Sequence, residues 1–350
     1  MSVAIEDVGG WKGVLGALVE HPELTDDQAR AAIGSILSGN ATQAQIGGFL
    51  VGLQTRGATG AEVAAMVDAM LAHALPLDLP DPDATVDIVG TGGSRLRQDR
   101  AFNISTTACF VVAGAGVPVC KHGNRKASSS SGSTDVVEAL GIAVELDGPA
   151  TARCVSEAGL GFAFARAFHP AMRHAGPVRS ELGIPSVFNL LGPLSHPGRV
   201  QRQVVGVADP AQAPLVAEVF ARRGAPRAMV VHGSDGLDEL TLSGPSTIHE
   251  VRDGRIQVHE VHPSDVGLTA VKVEDLGVGA PEQNAAVVRE ILGGGGGPRR
   301  EVVELNAAAG LVVGGVVEDL RDGIELARQS IESGAALARL ERLIEISNAS

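Results

Sequence analysis

The segment Lys121-His122-Gly123-Asn124-Arg125-Lys126-Ala127-Ser128-Ser129-Ser130-Ser131-Gly132 sets cations beside a row of hydroxyls. Lys121, Arg125 and Lys126 repel one another unless an anion lies among them. The competing reading is a solvated basic loop. The serines before Gly132 resemble a second phosphate-binding turn. Upstream stand Gly90-Thr91-Gly92-Gly93-Ser94 and Asn103-Ile104-Ser105-Thr106-Thr107. Glycines let backbone N–H groups approach a ligand, and hydroxyls with free amides at a helix start suit a pyrophosphate. The bland alternatives are a structural glycine turn and simple helix capping. The turn lacks the G-x-G-x-x-G form, no acidic residue stands at the ribose offset, and no G-x-x-x-x-G-K-[ST] occurs. Farther on, Asp238-Glu239 follows a glycine turn. Adjacent carboxylates can hold Mg²⁺ through one or two oxygens while phosphates and water complete the octahedron. A solvated acidic surface is the alternative. Arg179 could fork onto a substrate carboxylate or form an ordinary surface ion pair.

These residues need elements to position them. Thr25-x-x-Gln28, Thr42-x-x-Gln45 and Thr59-x-x-Glu62 each fit a capping box before a helical pattern. Ala29, Ile33, Ile36 and Leu37 form one such pattern, and Ile46, Phe49, Leu50 and Leu53 another. Gly39-Asn40 and Arg56-Gly57 supply stops. A further helix is predicted around Trp11 to Val19. A Pro- and Asp-rich linker, Leu77 to Asp83, ends this helical region. Beyond it, Val86-Asp87-Ile88-Val89 reads as a strand, Ser105 to Ala115 as a helix and Val117 to Cys120 as a strand. Ala211 to Arg222 reads as a helix before a strand from Ala228 to Gly233. Such alternation predicts an α/β fold: a small N-terminal helical domain over 1–78 and a larger α/β domain over 79–350 with a mainly parallel central sheet. Ligands in such sheets lie beyond the carboxyl ends of the strands, so Gly93 and Gly233 would line one edge. Gly293 to Gly297 reads as a flexible loop. Leu305 to Ala309 opens a helix, and a last helix runs from Ile324 to Leu343.

A chain of 350 residues exceeds what one core usually fills, which also implies two domains. Its net charge of −13 argues against nucleic-acid binding, and 3% aromatic residues leave few stacking platforms. A local cluster of cations on an acidic protein points instead to a small phosphorylated ligand. Cys109, Cys120 and Cys154 lack metal-site spacing and read as reduced thiols of a cytoplasmic protein. The first residues show no signal peptide, and no apolar run is long enough for a membrane span.

In this order the segments resemble the anthranilate phosphoribosyltransferase family, of the nucleoside phosphorylase class II and III fold. Lys121-His122-Gly123-Asn124-Arg125 with Phe188-Asn189-Leu190-Leu191-Gly192-Pro193-Leu194 carries the likeness most specifically, supported by His169-Pro170-Ala171-Met172 and Leu305-Asn306-Ala307. The resemblance implies Mg²⁺-dependent transfer of phosphoribose from phosphoribosyl pyrophosphate (PRPP) to the amine of anthranilate, in tryptophan synthesis. It assigns the donor to Gly90, Thr91, Gly92, Gly93, Ser94, Lys121, Ser128 and Ser129. Asn103, Ser105 and Thr106 would hold the pyrophosphate. Ser105, Asp238 and Glu239 would bind metal. His122, Asn124, Arg166, His169 and Arg179 would line the acceptor route, with Arg179 on the carboxylate. It also implies a homodimer joined through the helical domain, to which about 170–200 would contribute. No catalytic nucleophile is assigned, since this chemistry needs none. Three departures stand out. Ser94 replaces the family's Asp, the stretch from Gly90 to Asn103 is longer and carries Arg95, Arg97 and Arg100, and Arg166 stands where the family has Pro. They support a second expectation: a paralogue using another aromatic acid or amine, with Arg166 as an added anion contact. A pyrimidine nucleoside phosphorylase fits the motifs poorly. A catalytically silent nucleic-acid-binding relative conflicts with the acidic balance and the intact Asp238-Glu239.

Overall fold

The structure is a computed structural model that describes residues 3–20, 23–92, 102–124 and 132–349. The chain forms two compact units, Met1–Pro76 with Arg166–Arg199, and Leu77–Ala165 with Val200–Ser350.

The first unit is helical. Its N-terminal part contains Gly10–Glu20, Asp26–Leu37, Gln43–Arg56 and Gly60–Ala72. All three capping boxes form, with each Thr hydroxyl accepting from the N3 amide and each N3 side chain accepting from the Thr N–H. The apolar faces meet inside: Trp11 lies edge-on to Phe49 at 6.1 Å between ring centroids. Its indole N–H donates to Ser35 Oγ at 3.3 Å. Glu62 does more than cap. Fully buried, it accepts from Leu24 N–H at 2.7 Å and Thr59 N–H at 2.8 Å, and it pairs with the buried Arg56 guanidinium. The later part of this unit is built of short helices: the 3-10 helix Pro170–His174 and the α-helices Gly176–Leu182 and Phe188–Leu194.

The second unit holds a seven-stranded sheet. Its strands are β1 (Val86–Gly90), β2 (Val119–Gly123), β3 (Leu160–Phe164), β4 (Arg202–Gly206), β5 (Arg227–Gly233), β6 (Ser246–Arg252) and β7 (Arg255–Val261). Their spatial order is β3-β2-β1-β4-β5-β6-β7. The first five run parallel, and β6 and β7 add antiparallel, so the sheet is mixed but mainly parallel. Helices Ile104–Gly114 and Pro298–Gly314 are almost wholly buried and pack in the core with Val86 and Ile88 of β1.

Several boundaries differ from the sequence reading. β2 begins at Val119, not Val117, because Pro118 has no N–H for a ladder; only its carbonyl takes part, accepting from Val86 N–H at 2.9 Å. Lys121 and His122 therefore lie within the strand. Leu305 to Ala309 sit mid-helix, since the helix already starts at Pro298. The helix expected from Ile324 to Leu343 is two, Leu320–Glu332 and Ala335–Ser347. Gly334 breaks them with a left-handed φ of 76°. The β6–β7 hairpin went unread, although Asp253-Gly254 supplies two consecutive positive φ values for its turn. Cys109, Cys120 and Cys154 are buried, and none of them forms a disulfide. Among the described residues no helix is long and apolar enough to cross a membrane.

Glu62→Ala should remove the carboxylate opposite Arg56 and strip Leu24 N–H of its acceptor. A loss of about 3 kcal/mol in denaturant unfolding is expected. A change below about 1 kcal/mol would contradict this account of the helical unit.

Candidate active site

Of the described donor candidates, Gly90, Thr91 and Gly92 close β1, Lys121 lies in β2, and Asn103, Ser105 and Thr106 stand at the start of helix Ile104–Gly114. Gly90 and Gly206 are register partners at the ends of β1 and β4, and Thr91 N–H continues the ladder to Gly206 O at 2.8 Å. The chain after β5 folds back over these ends, with Gly233 N–H donating to Leu237 O at 3.0 Å. A Cβ at Gly206 would overlap the Asp238 carbonyl, and one at Gly90 would overlap the Asp238 carboxylate. The two glycines thus form a notch that Asp238 fills. Asp238 Oδ2 accepts from Gly92 N–H at 3.2 Å, joining the acidic doublet to the glycine turn. Gly92 has φ +66°, the left-handed conformation that the turn requires. Asp238 and Glu239 are 1% and 4% exposed, so they are not solvated surface charge.

Lys121 is buried in β2, and its ammonium donates to Ser105 Oγ at 3.3 Å and to the Ile88 carbonyl. β1 and β2 are registered at Val86 opposite Val119, and beyond that pair a side chain bridges them. Asp87 Oδ1 accepts from His122 N–H at 3.1 Å, and Oδ2 accepts from Gln203 Nε2 at 2.9 Å. Burial pushes the Asp87 carboxyl up to about 7, against the opposing pull of Lys121 and the donors from Gln203 and His122. The sequence reading passed over Asp87. Its signal was a carboxylate inside the otherwise apolar run Val86-Asp87-Ile88-Val89.

Asn103 is the N-cap of helix Ile104–Gly114, yet its side chain makes no capping hydrogen bond. Its N–H donates to Asn284 Oδ1 at 3.1 Å. Thr106 Oγ1 is buried and has no hydrogen-bond partner among the described residues. Simple capping therefore does not account for these two side chains. His122 is buried and Asn124 exposed, with the Asn124 carbonyl accepting from Ser133 Oγ at 3.3 Å. Gly93, Ser94, Ser128 and Ser129 lie outside the described residues, as do Arg95, Arg97, Arg100, Arg125 and Lys126.

Arg166, His169 and Arg179 belong to the helical unit. Arg179 is half-buried, lies 5.4 Å over the Phe188 ring, and donates to Asn189 Oδ1 at 3.4 Å. Burial lowers its pKa. Asn189 Oδ1 also accepts from Ser186 N–H at 3.2 Å, so Phe188 and Asn189 fix the guanidinium from two sides. Sequence reading gave those two residues no such task. Burial pushes His169 down to about 4 against a Ser195 backbone hydrogen bond, leaving the ring neutral at pH 7. Arg166 is exposed on the turn Ala165–Phe168.

Among the described residues no three His, Cys, Asp or Glu side chains gather into a closed metal cage. Two buried carboxylates beside a glycine turn, with Ser105 on the neighbouring helix start, instead suit a hard cation that arrives with phosphate oxygens.

Comparison with known proteins gives two matches to family models. One, described as the α/β domain of a glycosyl transferase family, covers residues 82–337. The other, its helical bundle domain, covers residues 12–74. An anthranilate phosphoribosyltransferase of Thermomicrobium roseum is 50% identical over 339 residues, 96% of this chain and 97% of the relative. The crystal structure of the Thermus thermophilus anthranilate phosphoribosyltransferase superposes with a TM-score of 0.90 at 40% identity, covering 96% of this chain and 99% of that one. The Saccharomyces cerevisiae enzyme, solved in complex with PRPP and Mg, has a TM-score of 0.87 at 29% identity, covering 97% and 98%.

Asp87 makes stability depend on pH with a definite sign. Between about pH 4 and 7 the folded chain keeps a proton that the unfolded chain releases, so this contribution to stability falls as pH rises. Asp87→Asn should remove up to about 1.4 kcal/mol per pH unit of that slope. Melting temperatures measured across this window should fall less steeply for the variant. Parallel curves for variant and wild type would refute the assignment.

Proposed function

The chain belongs to the anthranilate phosphoribosyltransferase family, and from that we propose that it transfers phosphoribose from PRPP to the amine of anthranilate, releasing pyrophosphate, in tryptophan biosynthesis. The observation that carries this reading within the molecule is the Asp238 carboxylate on Gly92 N–H, which ties an acidic doublet to a phosphate-type turn. Gly90, Thr91 and Gly92 line the donor as the turn that closes β1, with Gly leaving room for close approach, and Lys121 faces its negative charge. Asn103, Ser105 and Thr106 hold the pyrophosphate at the start of their helix. Ser105, Asp238 and Glu239 hold Mg²⁺, which when bound neutralises charge on the departing pyrophosphate.

Breaking the C1–O bond of PRPP builds oxocarbenium character on the ribose, as in glycoside cleavage. The fixed charge of Lys121 opposes the charge that grows on the leaving oxygens. The anthranilate nitrogen forms the new bond to C1 and then gives up a proton. The arylamine is a weak nucleophile, so alignment contributes more than basicity. In the helical unit Arg179 anchors the acceptor carboxylate and the neutral His169 lines its route, and in the α/β unit His122 and Asn124 are the acceptor-side residues. A different aromatic acceptor gains no support from Arg166, which is exposed. A homodimer through the helical unit is in keeping with Val19, 76% exposed, and Val51 on two of its packed helices. A cytoplasmic site agrees with three cysteines outside any disulfide.

Steady-state turnover with PRPP, Mg²⁺ and anthranilate, beside substituted benzoates and anilines, tests the reading. Efficient Mg²⁺-dependent conversion of anthranilate is expected, and Arg179→Ala should raise its KM about 10- to 100-fold with little change in the KM for PRPP. Binding of PRPP without turnover of anthranilate would overturn the acceptor. An unchanged KM in Arg179→Ala would remove Arg179 from the carboxylate.

A further inference from the structure

Asn306 lies in the helix Pro298–Gly314 and is fully buried. Its carboxamide is spent on backbone. Oδ1 accepts from Leu240 N–H at 3.0 Å, and Nδ2 donates to Leu240 O at 2.9 Å. Nδ2 also donates to Val302 O at 2.9 Å, one turn back in its own helix. Asn306 thus offers Leu240 the paired donor and acceptor that a neighbouring strand would offer. Leu240 needs this substitute, because residues 237–241 belong to no strand or helix.

Leu240 directly follows the Asp238-Glu239 doublet. On the near side, Asp238 is wedged over Gly90 and Gly206 and held at Gly92 N–H. On the far side, Asn306 holds the chain, and Thr241 N–H continues to Ser246 Oγ at 2.9 Å. The direction of the Glu239 carboxylate depends on the backbone between these two anchors. An Ala at 306 would suit the small-residue run Ala307-Ala308-Ala309, so helix packing alone does not call for a carboxamide there.

We propose that Asn306 is a positioning residue for the acidic doublet: by holding both backbone groups of Leu240, it aims Glu239 at the cation that accompanies PRPP. This rests on the reading of Asp238 and Glu239 as metal carboxylates. Asn306 itself reaches the backbone of Leu240 and Val302, not the substrate. Residues that orient metal ligands change metal affinity by about 10- to 100-fold when removed.

The test uses the full-length enzyme with Asn306→Ala, and with Asn306→Ser, whose hydroxyl can still bond the Val302 carbonyl but is too short to clamp Leu240. Two readouts are taken: the Mg²⁺ concentration for half-maximal turnover, and the rise in melting temperature produced by PRPP with Mg²⁺ in the absence of anthranilate. Both variants should raise the half-activating Mg²⁺ about tenfold or more and shrink the melting shift. The KM for anthranilate should stay within about twofold, since the change acts through the metal carboxylates. In a Glu239→Gln background, Asn306→Ala should add little, because the two act as one unit. Wild-type Mg²⁺ dependence in folded variants, or effects that simply multiply with Glu239→Gln, would overturn the proposal. Failure of both variants to fold would make Asn306 a requirement of the fold and overturn it as well. If Glu239→Gln itself leaves Mg²⁺ dependence untouched, the metal reading falls and the proposal with it.

Discussion

Glycine at 90 and at 206 leaves a notch across two paired strand ends, and Asp238 lies in it. Parallel strands end with backbone groups pointing past the sheet, and side chains there usually keep other segments away. Two adjacent glycines remove that barrier. The segment after β5 can then cross the ends of β4 and β1 and deliver a carboxylate to Gly92 N–H. An acidic doublet and a glycine turn, separated by more than a hundred residues, become one surface through a single close approach. Asn306 holds the same crossing segment from the helix side.

The charges around this crossing are arranged so that few face water. Lys121, Asp87, Asp238 and Glu239 are all buried. Lys121 opposes the rise of the Asp87 carboxyl, and Asp87 in turn holds the β2 backbone at His122. Buried charge is costly unless partnered. Here the partners are backbone groups, a Gln side chain and a hydroxyl, and the Ser105 hydroxyl with the Ile88 carbonyl fixes the Lys121 ammonium in place. Preorganised charge of this kind acts on a developing negative charge without having to reorganise. In the helical unit, Arg179 is treated similarly, held by Asn189 and lying over Phe188.

What could be read from the sequence was what depends on near neighbours. Capping boxes at Thr25, Thr42 and Thr59 act over three residues, and all three form. The glycine turn and the helix start after Asn103 were legible for the same reason, whereas the strand placed before Lys121 in fact contains it. The break at Gly334 and the hairpin at Asp253-Gly254 had local signals that were passed over. Gly206 and Gln203 could not be singled out, and Asn189 and Asn306 stood only within motifs, with no role of their own. Each draws its meaning from a partner distant in the chain or from a fold-back that no periodicity reveals. Asp87 sits between these cases, visible as an odd residue in an apolar strand but explained only by β2 and β4.

The central claim is that the crossing of Asp238 over the glycine notch makes the donor site. Calorimetric titration of Gly206→Ala with PRPP and Mg²⁺ tests it most directly, with melting temperature as the check on folding. The added Cβ must displace the Asp238 backbone, so a folded variant should bind PRPP with Mg²⁺ about tenfold or more weakly than wild type. A folded Gly206→Ala protein that binds PRPP and Mg²⁺ as tightly as wild type would contradict the account.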